Sequence, residues 1–154
     1  MGGDDWQPDK RSRKAKRRIP VAYQNANIAS SSLGATMALN ISDVKFAILD
    51  TETTGLSPKY GGRVCELAIL FIQNGKQVGS FETLIDPEGP IDPGAQRVHG
   101  ITSAMVAGKP TFSSVAKQVH DLLKDSTMVC HNAPFDVSFM QAEFAAAGMD
   151  MPDM

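Results

Sequence analysis

Two short apolar runs, at residues 46–49 and 127–130, each end abruptly in polar residues, the first of them at Asp50. Runs of this length and composition are typical of strands buried on both faces. Between them, apolar side chains recur at helical spacing from Thr111, a good N-capping residue, to about Asp125. A strand, a crossover helix and a second strand predict an α/β fold.

Two further strands are predicted between these runs. Residues 63–73 and 77–85 are separated by Asn-Gly-Lys at 74–76, a hairpin signal, so we expect them to pair antiparallel. Prolines then mark an irregular connection over residues 87–101, and a short helix is expected near 103–107. The sheet is therefore expected to be mixed, with helices beside it.

The charge is divided unevenly along the 154 residues. Residues 1–43 carry seven Lys/Arg and four Asp, whereas residues 44–154 carry eight Lys/Arg and thirteen acids. The first region, with a basic run at 10–18 and a Ser/Ala-rich stretch, is predicted to be a disordered leader. Its basic run is compatible with nucleic-acid binding, a localisation signal or a solvated tail. Residues 44–154 form the predicted domain, whose acidic excess favours cation binding over a broad grip on phosphates.

Several classes of protein are excluded by what the sequence lacks. No run of about 18 apolar residues is present, and the basic start leads into polar residues, so neither a membrane span nor a secretory signal is predicted. We expect a cytoplasmic protein without a membrane partner. Cys65 and Cys130 are the only cysteines and are predicted to be buried thiols instead of a disulfide or zinc site.

Three acidic residues follow the predicted buried strands. Asp50 and Glu52 are spaced i, i+2 and should project to one side of an extended strand. Asp136 falls in the first turn of a helix predicted to begin at Pro134 and to end near 147–148. Each acid alone has a simpler explanation, either solvation at a strand end or attraction to the helix dipole. Their shared location at the carboxyl ends of strands favours a site for a hard divalent cation.

The sequence resembles the DEDD family of 3′ to 5′ exonucleases, specifically the branch that includes the proofreading epsilon subunit of bacterial DNA polymerase III. Residues 50–55, Asp-Thr-Glu-Thr-Thr-Gly, match the D-x-E motif of this family, and residues 131–136, His-Asn-Ala-Pro-Phe-Asp, match its second motif. Residues 97–102, Arg-Val-His-Gly-Ile-Thr, match a signature of the epsilon-like branch. The resemblance covers about residues 45–154.

This resemblance implies a ribonuclease H-like fold and a mechanism that uses two metal ions. Asp50, Glu52 and Asp136 are then the catalytic residues and hold two Mg²⁺ or Mn²⁺ ions. Such an enzyme hydrolyses nucleic acid from its 3′ end and releases nucleoside monophosphates, as in polymerase proofreading or DNA repair. The implied partners are a single-stranded 3′ end of DNA and a DNA polymerase subunit.

The resemblance also assigns four residues to the substrate. Thr53, Gly55 and Leu56 are expected to meet the terminal nucleotide, with Gly55 allowing close approach and Leu56 acting as an apolar wedge. His99 matches a family position that contacts substrate. The same carboxylates would serve a ribonucleotide, so an exonuclease acting on RNA remains an alternative. A non-catalytic module that binds a nucleic acid or a polymerase is the other.

The sequence departs from the family pattern after the second motif. Family members carry a later histidine followed five residues on by an aspartate, and no residue here matches that pair. Losing a general base typically costs about 10² to 10⁴ in rate, so we expect the chain alone to be nearly inactive. We also expect the last strand and helix of the family fold to be lacking. That would leave a core face uncovered and the chain only marginally stable.

Overall fold

The computed structural model describes residues 40–153, and these contain a four-stranded mixed sheet with helices. The sheet order is β3-β2-β1-β4, in which β1 pairs antiparallel with β2 and parallel with β4. The strands are β1 (Lys45–Thr53), β2 (Val64–Gln73), β3 (Lys76–Leu84) and β4 (Thr127–Val129). The helices are α1 (Pro93–His99), α2 (Ser103–Val106), α3 (Phe112–Leu123) and α4 (Ala133–Ala146). The predicted α/β class is confirmed.

The predicted hairpin is present between β2 and β3. Asn74 and Gly75 both have positive φ, at 50° and 69°, which is the conformation that a tight two-residue turn requires. Helix α3 begins after Thr111, whose side chain accepts from the Ser114 N–H as predicted. Helix α1 was not predicted, because its segment was interpreted as an irregular connection.

One face of the sheet carries the core. Alternate residues of β1 and β2 pack with α3 and α4 in a single cluster, and the Phe112 and Phe144 rings meet edge to face at 5.2 Å. The members of the cluster from these strands are Ala47, Leu49, Val64, Leu67, Ile69 and Phe71. Period-two alternation therefore decides which residues of β1 face the helices.

The opposite face of the sheet is open among the residues described. Ile48 on β1 and Val129 on β4 are 43% and 42% exposed, and they are direct neighbours across the parallel pair. The prediction that β1 is buried on both faces was wrong, and so was the prediction that β4 is a buried strand, because its three residues are exposed or half-buried. A short apolar run does not reveal whether a second layer covers it, because its composition is the same in either case.

The predicted leader lies largely outside the described residues. Its last part, Ile41–Asp43, forms a short 3₁₀ turn in which the Asn40 side chain accepts from the Ser42 N–H. Within residues 40–153, none of the helices has the length and apolar character needed to cross a membrane.

Candidate active site

The D-x-E motif lies near the carboxyl end of β1 and is divided between the two faces of the sheet. Asp50 and Glu52 point to the open face, where Asp50 is exposed and Glu52 is half-buried. Thr51 and Thr53 point to the packed face and are buried, at 7% and 6% exposure. The predicted projection of both carboxylates to one side is therefore present, with a threonine between them that faces the core.

Asp136 is brought to the same strand by the first turn of α4. It is 3% exposed, and its Oδ1 accepts from the Thr51 N–H at 3.1 Å and from the Thr51 hydroxyl at 2.8 Å. Strand β4 pairs with β1 only as far as Ile48 and Val129, so the Thr51 N–H lies beyond the end of β4. Asp136 takes the place that a longer β4 would occupy. The β1 backbone thus fixes one oxygen of this carboxylate.

The three carboxylates influence one another electrostatically. Loss of surrounding water raises the pKa of Asp50, and the charge of Asp136 raises it further, while the Thr51 N–H and His131 lower it. The pKa of Glu52 is raised first by burial and then by the charges of Asp50 and Asp136. Burial and the neighbouring acids thus act in the same direction, and both disfavour the ionised forms of Asp50 and Glu52.

Glu66 is a fourth acid in this region that sequence reasoning missed. It lies on β2 directly opposite Glu52, and both side chains occupy the open face. Burial raises the pKa of Glu66, and the charges of Glu82 and Glu52 then raise it further. Like charges opposite each other destabilise an antiparallel pair. The predicted hairpin and the alternation of β1 were available signals, but the register between the strands was not.

The carboxylate oxygens of Asp50, Glu52 and Asp136 are ligands that suit a hard divalent cation, although the three side chains do not form a preassembled coordination site. Among residues 40–153, no group of three or more His, Cys, Asp or Glu side chains has metal-binding geometry. Asp136 Oδ2 accepts no hydrogen bond from those residues, and the pKa values of Asp50 and Glu52 are raised first by burial and then by neighbouring acids, both of which a bound cation would offset. The assignment of these three as metal ligands stays a prediction.

The four predicted substrate residues line one cavity of about 930 Å³ beside Glu52. Leu56 is 91% exposed at its rim. The Thr53 hydroxyl is occupied, since it donates to the Gly55 carbonyl at 2.7 Å and shapes the turn that follows β1. The structure thus brings Thr53, Gly55, Leu56 and His99 together, and their contact with a nucleotide stays a prediction.

The His99 ring is held at both nitrogens. Its Nδ1 accepts from the Ile101 N–H at 2.9 Å, so the proton of the neutral ring lies on Nε2, which donates to the Thr53 carbonyl at 3.2 Å. Helix α1 carries His99 and is anchored by a second apolar cluster that includes Cys65, Ile91 and Ile101. His99 therefore ties α1 to the end of β1.

A buried ion pair fixes the loop on the other side of the cavity. Glu143 on α4 is 2% exposed and accepts from Arg63 Nε and Nη2, both at 2.9 Å, and from the Val64 N–H at 2.9 Å. The Arg63 N–H donates to the Thr54 hydroxyl at 2.9 Å, and the Thr54 N–H donates back to the Arg63 carbonyl at 2.8 Å. Glu143 thereby links α4 to the turn that carries the cavity wall.

Comparison with known protein families gives a match over this same region. The profile of a family described as Exonuclease matches residues 47–154. A DNA polymerase III subunit epsilon-like protein of Rhodobacter capsulatus is 40% identical over 79% of the chain and 18% of that relative. The DNA polymerase III subunit epsilon of Pasteurella multocida is 40% identical over 68% of the chain and 43% of its own length. The chain therefore spans less than half the length of these curated relatives.

Solved structures give the same fold. Exonuclease X, in a complex with 5′ overhanging duplex DNA, is 38% identical with a TM-score of 0.51, covering 62% of this chain and 53% of its own. Exonuclease I has a TM-score of 0.64 at 22% identity, covering 70% of this chain and 26% of its own, and this likeness concerns the fold alone. The ribonuclease H-like arrangement expected from the sequence is confirmed.

Proposed function

The chain belongs to the exonuclease family, and we propose that it contributes to hydrolysis of nucleic acid, with DNA favoured, from the 3′ end to release nucleoside monophosphates. The observation that carries this proposal is that Asp50, Glu52 and Asp136 lie near the carboxyl end of β1, close enough for the charge of Asp136 to raise the pKa values of the other two. They come from two elements distant in sequence, and the first two have raised pKa values. Perturbed acids beside a cavity are typical of catalytic sites.

Each residue has a defined part in this proposal. Asp50, Glu52 and the free Oδ2 of Asp136 would hold Mg²⁺ or Mn²⁺, and two such ions, when bound, supply an activated water and stabilise the leaving 3′ oxygen. Thr51 orients Asp136 through its two hydrogen bonds to Oδ1. The wall formed by Gly55 and Leu56 would receive the terminal nucleotide and keep its phosphate near the carboxylates.

The proposed mechanism also needs a general base, and no histidine follows the second motif in this sequence. His99, His120 and His131 are its only histidines, and His99 is occupied at both ring nitrogens. We therefore propose that the chain alone cuts slowly. A module that binds a strand end without cutting it is the second candidate function.

A DNA polymerase is the proposed protein partner, because two of the relatives named above are described as a polymerase III subunit or its likeness. A single-stranded 3′ end of DNA is the proposed nucleic-acid partner. RNA as substrate is the alternative within the same family, and a cytoplasmic location stays a prediction from the sequence.

Release of mononucleotides from a 3′-labelled single strand in Mn²⁺ tests the proposal. Three proteins are compared: this chain, a version extended by the reading frame downstream of Met154, and the Asp50→Ala variant of that extended version. Faster cutting by the extended protein, abolished by Asp50→Ala, supports an exonuclease. If the extended protein is folded and binds the strand without cutting it, the binding module is supported. Comparison of matched DNA and RNA strands decides which of the two nucleic acids is the substrate.

A further inference from the structure

Three large apolar side chains at the cavity rim are more exposed than any other described in the structure. Tyr60 is 93% exposed, Leu56 is 91% exposed and Val98 is 85% exposed, and all three line the same cavity of about 930 Å³. Single exposed apolar residues are common on protein surfaces, but three around one concave site mark a binding surface. Of the three, only Tyr60 is aromatic.

The backbone that carries Tyr60 is fixed even though its side chain is free. Tyr60 ends a 3₁₀ turn, Pro58–Tyr60, and its N–H donates to the Ser57 carbonyl at 3.2 Å. The same carbonyl accepts from the Gly62 N–H at 3.1 Å. A Cβ at Gly62 would lie 2.8 Å from that oxygen and 3.1 Å from the Phe139 ring, so the turn packs tightly against the core. A rigid turn therefore presents an exposed aromatic ring to the cavity.

The charged side chains that line the cavity do not provide a free cation to bind phosphates. Among its described lining residues, Arg63 is the one Lys or Arg, and Glu143 occupies its guanidinium. Glu52 and Asp92 add negative charge to the same wall. A strand bound here needs another source of affinity, and stacking of bases on aromatic rings is the sequence-tolerant source that single-strand binding proteins use.

We propose that Tyr60 is a stacking platform for a base of the single-stranded substrate, located on the 5′ side of the terminal nucleotide. This rests on the proposed function, in which the acids at the end of β1 and the adjoining residues Thr53, Gly55 and Leu56 hold the terminal nucleotide. Tyr60 lies beyond that segment on the same cavity wall. A base that stacks on Tyr60 must first unstack from the neighbouring base of a duplex. This contact therefore favours unpaired ends over paired ends.

Binding of a 5′-labelled single-stranded DNA 10-mer, followed by fluorescence anisotropy in Ca²⁺, tests this role. Loss of one base stack weakens binding by roughly 5- to 150-fold, so we expect that loss for Tyr60→Ala. Tyr60→Phe keeps the ring and should bind within about twofold of the unmodified chain. Met105→Ala is the matched control, because Met105 is 45% exposed and does not line the cavity. Unfolding curves should be unchanged in all three variants, since Tyr60 makes few internal contacts.

Strands with one abasic position identify the contact. The difference between the chain and Tyr60→Ala should disappear on the strand that lacks the stacked base and persist on the others. A matched RNA strand should show the same ratio, because stacking does not involve the sugar. Equal binding by the chain and Tyr60→Ala, or a loss independent of the abasic position, overturns the role of Tyr60 alone. If the unmodified chain does not bind the strand at all, the proposed function fails together with this inference.

Discussion

Two acidic regions flank the carboxyl end of β1, and they differ in how their charge is balanced. Glu143 is buried beside a guanidinium and a backbone N–H that together donate three hydrogen bonds of 2.9 Å. Asp50 and Glu52 form no ion pair with another residue of 40–153, and burial followed by the charges of neighbouring acids raises their pKa values. The first arrangement holds two elements together. The second places like charges side by side, which costs stability unless something outside the chain balances them.

Glu143 is a structural carboxylate, whereas Asp50 and Glu52 are the carboxylates proposed to bind a metal. A buried carboxylate that the fold uses has its counter-charge within the chain, because an unpaired buried charge is strongly destabilising. A carboxylate that binds a ligand keeps its accepting atoms free and partly hydrated. Asp136 combines the two arrangements, since Oδ1 is fixed by Thr51 and Oδ2 is left free.

Removal of the Glu143 carboxylate should reduce the free energy of unfolding more than the other changes considered below. Glu143→Ala leaves the Val64 N–H without its partner and leaves the partly exposed Arg63 guanidinium with only its 3.8 Å contact to Glu88, so we expect a loss of about 3 kcal/mol in the free energy of unfolding. Denaturant unfolding followed by circular dichroism measures it. Asp121→Ala breaks the solvent-exposed Lys117–Asp121 pair on α3 and is the control, with no measurable change expected. A loss below about 1 kcal/mol for Glu143→Ala would show that this pair does not hold α4 to β2.

Thr51→Val should have an intermediate effect, because it removes the hydroxyl and keeps the shape of the side chain. Asp136 then loses its 2.8 Å bond and keeps only the bond from the Thr51 N–H. We expect a loss of about 1 to 3 kcal/mol in the free energy of unfolding and weaker Mn²⁺ binding. Thr51→Ser, which restores the hydroxyl, should recover the metal affinity. If Val and Ser bind Mn²⁺ equally well, the hydroxyl does not position Asp136.

Asp50→Asn should have the smallest effect and the opposite sign. Because folding raises the pKa of Asp50, the folded state holds this proton more tightly, and stability falls as the pH rises through the ordinary and then the raised pKa. At neutral pH the variant should therefore be more stable, by at most about 1 kcal/mol because solvent screens the group. Below about pH 3.5 the two proteins should be equally stable. Thermal unfolding between pH 3 and pH 8 would contradict this if the variant were less stable throughout.

Much of the fold was predictable because its signals are local. The Asn-Gly turn gave the hairpin of β2 and β3, and helical spacing after Thr111 gave α3. Helix α1 was missed although Asp92 caps it, Pro93 begins it and Gly100 follows it, because a seven-residue helix rich in Pro and Gly has no apolar period. The open face of β1 was missed because whether a second layer covers a strand depends on residues far from it in the sequence.

The sequence alone indicated the acids of the candidate site, but not the residues that hydrogen-bond or pair with buried acids around it. Spacing identified Asp50, Glu52 and Asp136, since charged residues directly after apolar runs are visible in one sequence. The partnership of Thr51 with Asp136 spans 85 residues, and that of Arg63 with Glu143 spans 80 residues. Such pairs depend on sheet register and helix placement, which a single sequence does not contain.

Calorimetric titration of the chain with Mn²⁺ at pH 7 tests most directly whether the unbalanced acids form a cation site. Asp50→Asn and Glu52→Gln are the test variants, and Asp121→Asn, on the exposed face of α3, is the control with the same change of charge. We predict that the chain binds Mn²⁺, that each test variant weakens binding by at least about tenfold, and that the control binds within about twofold. Absence of binding, or equal loss in all three variants, would contradict the assignment of these carboxylates to a metal.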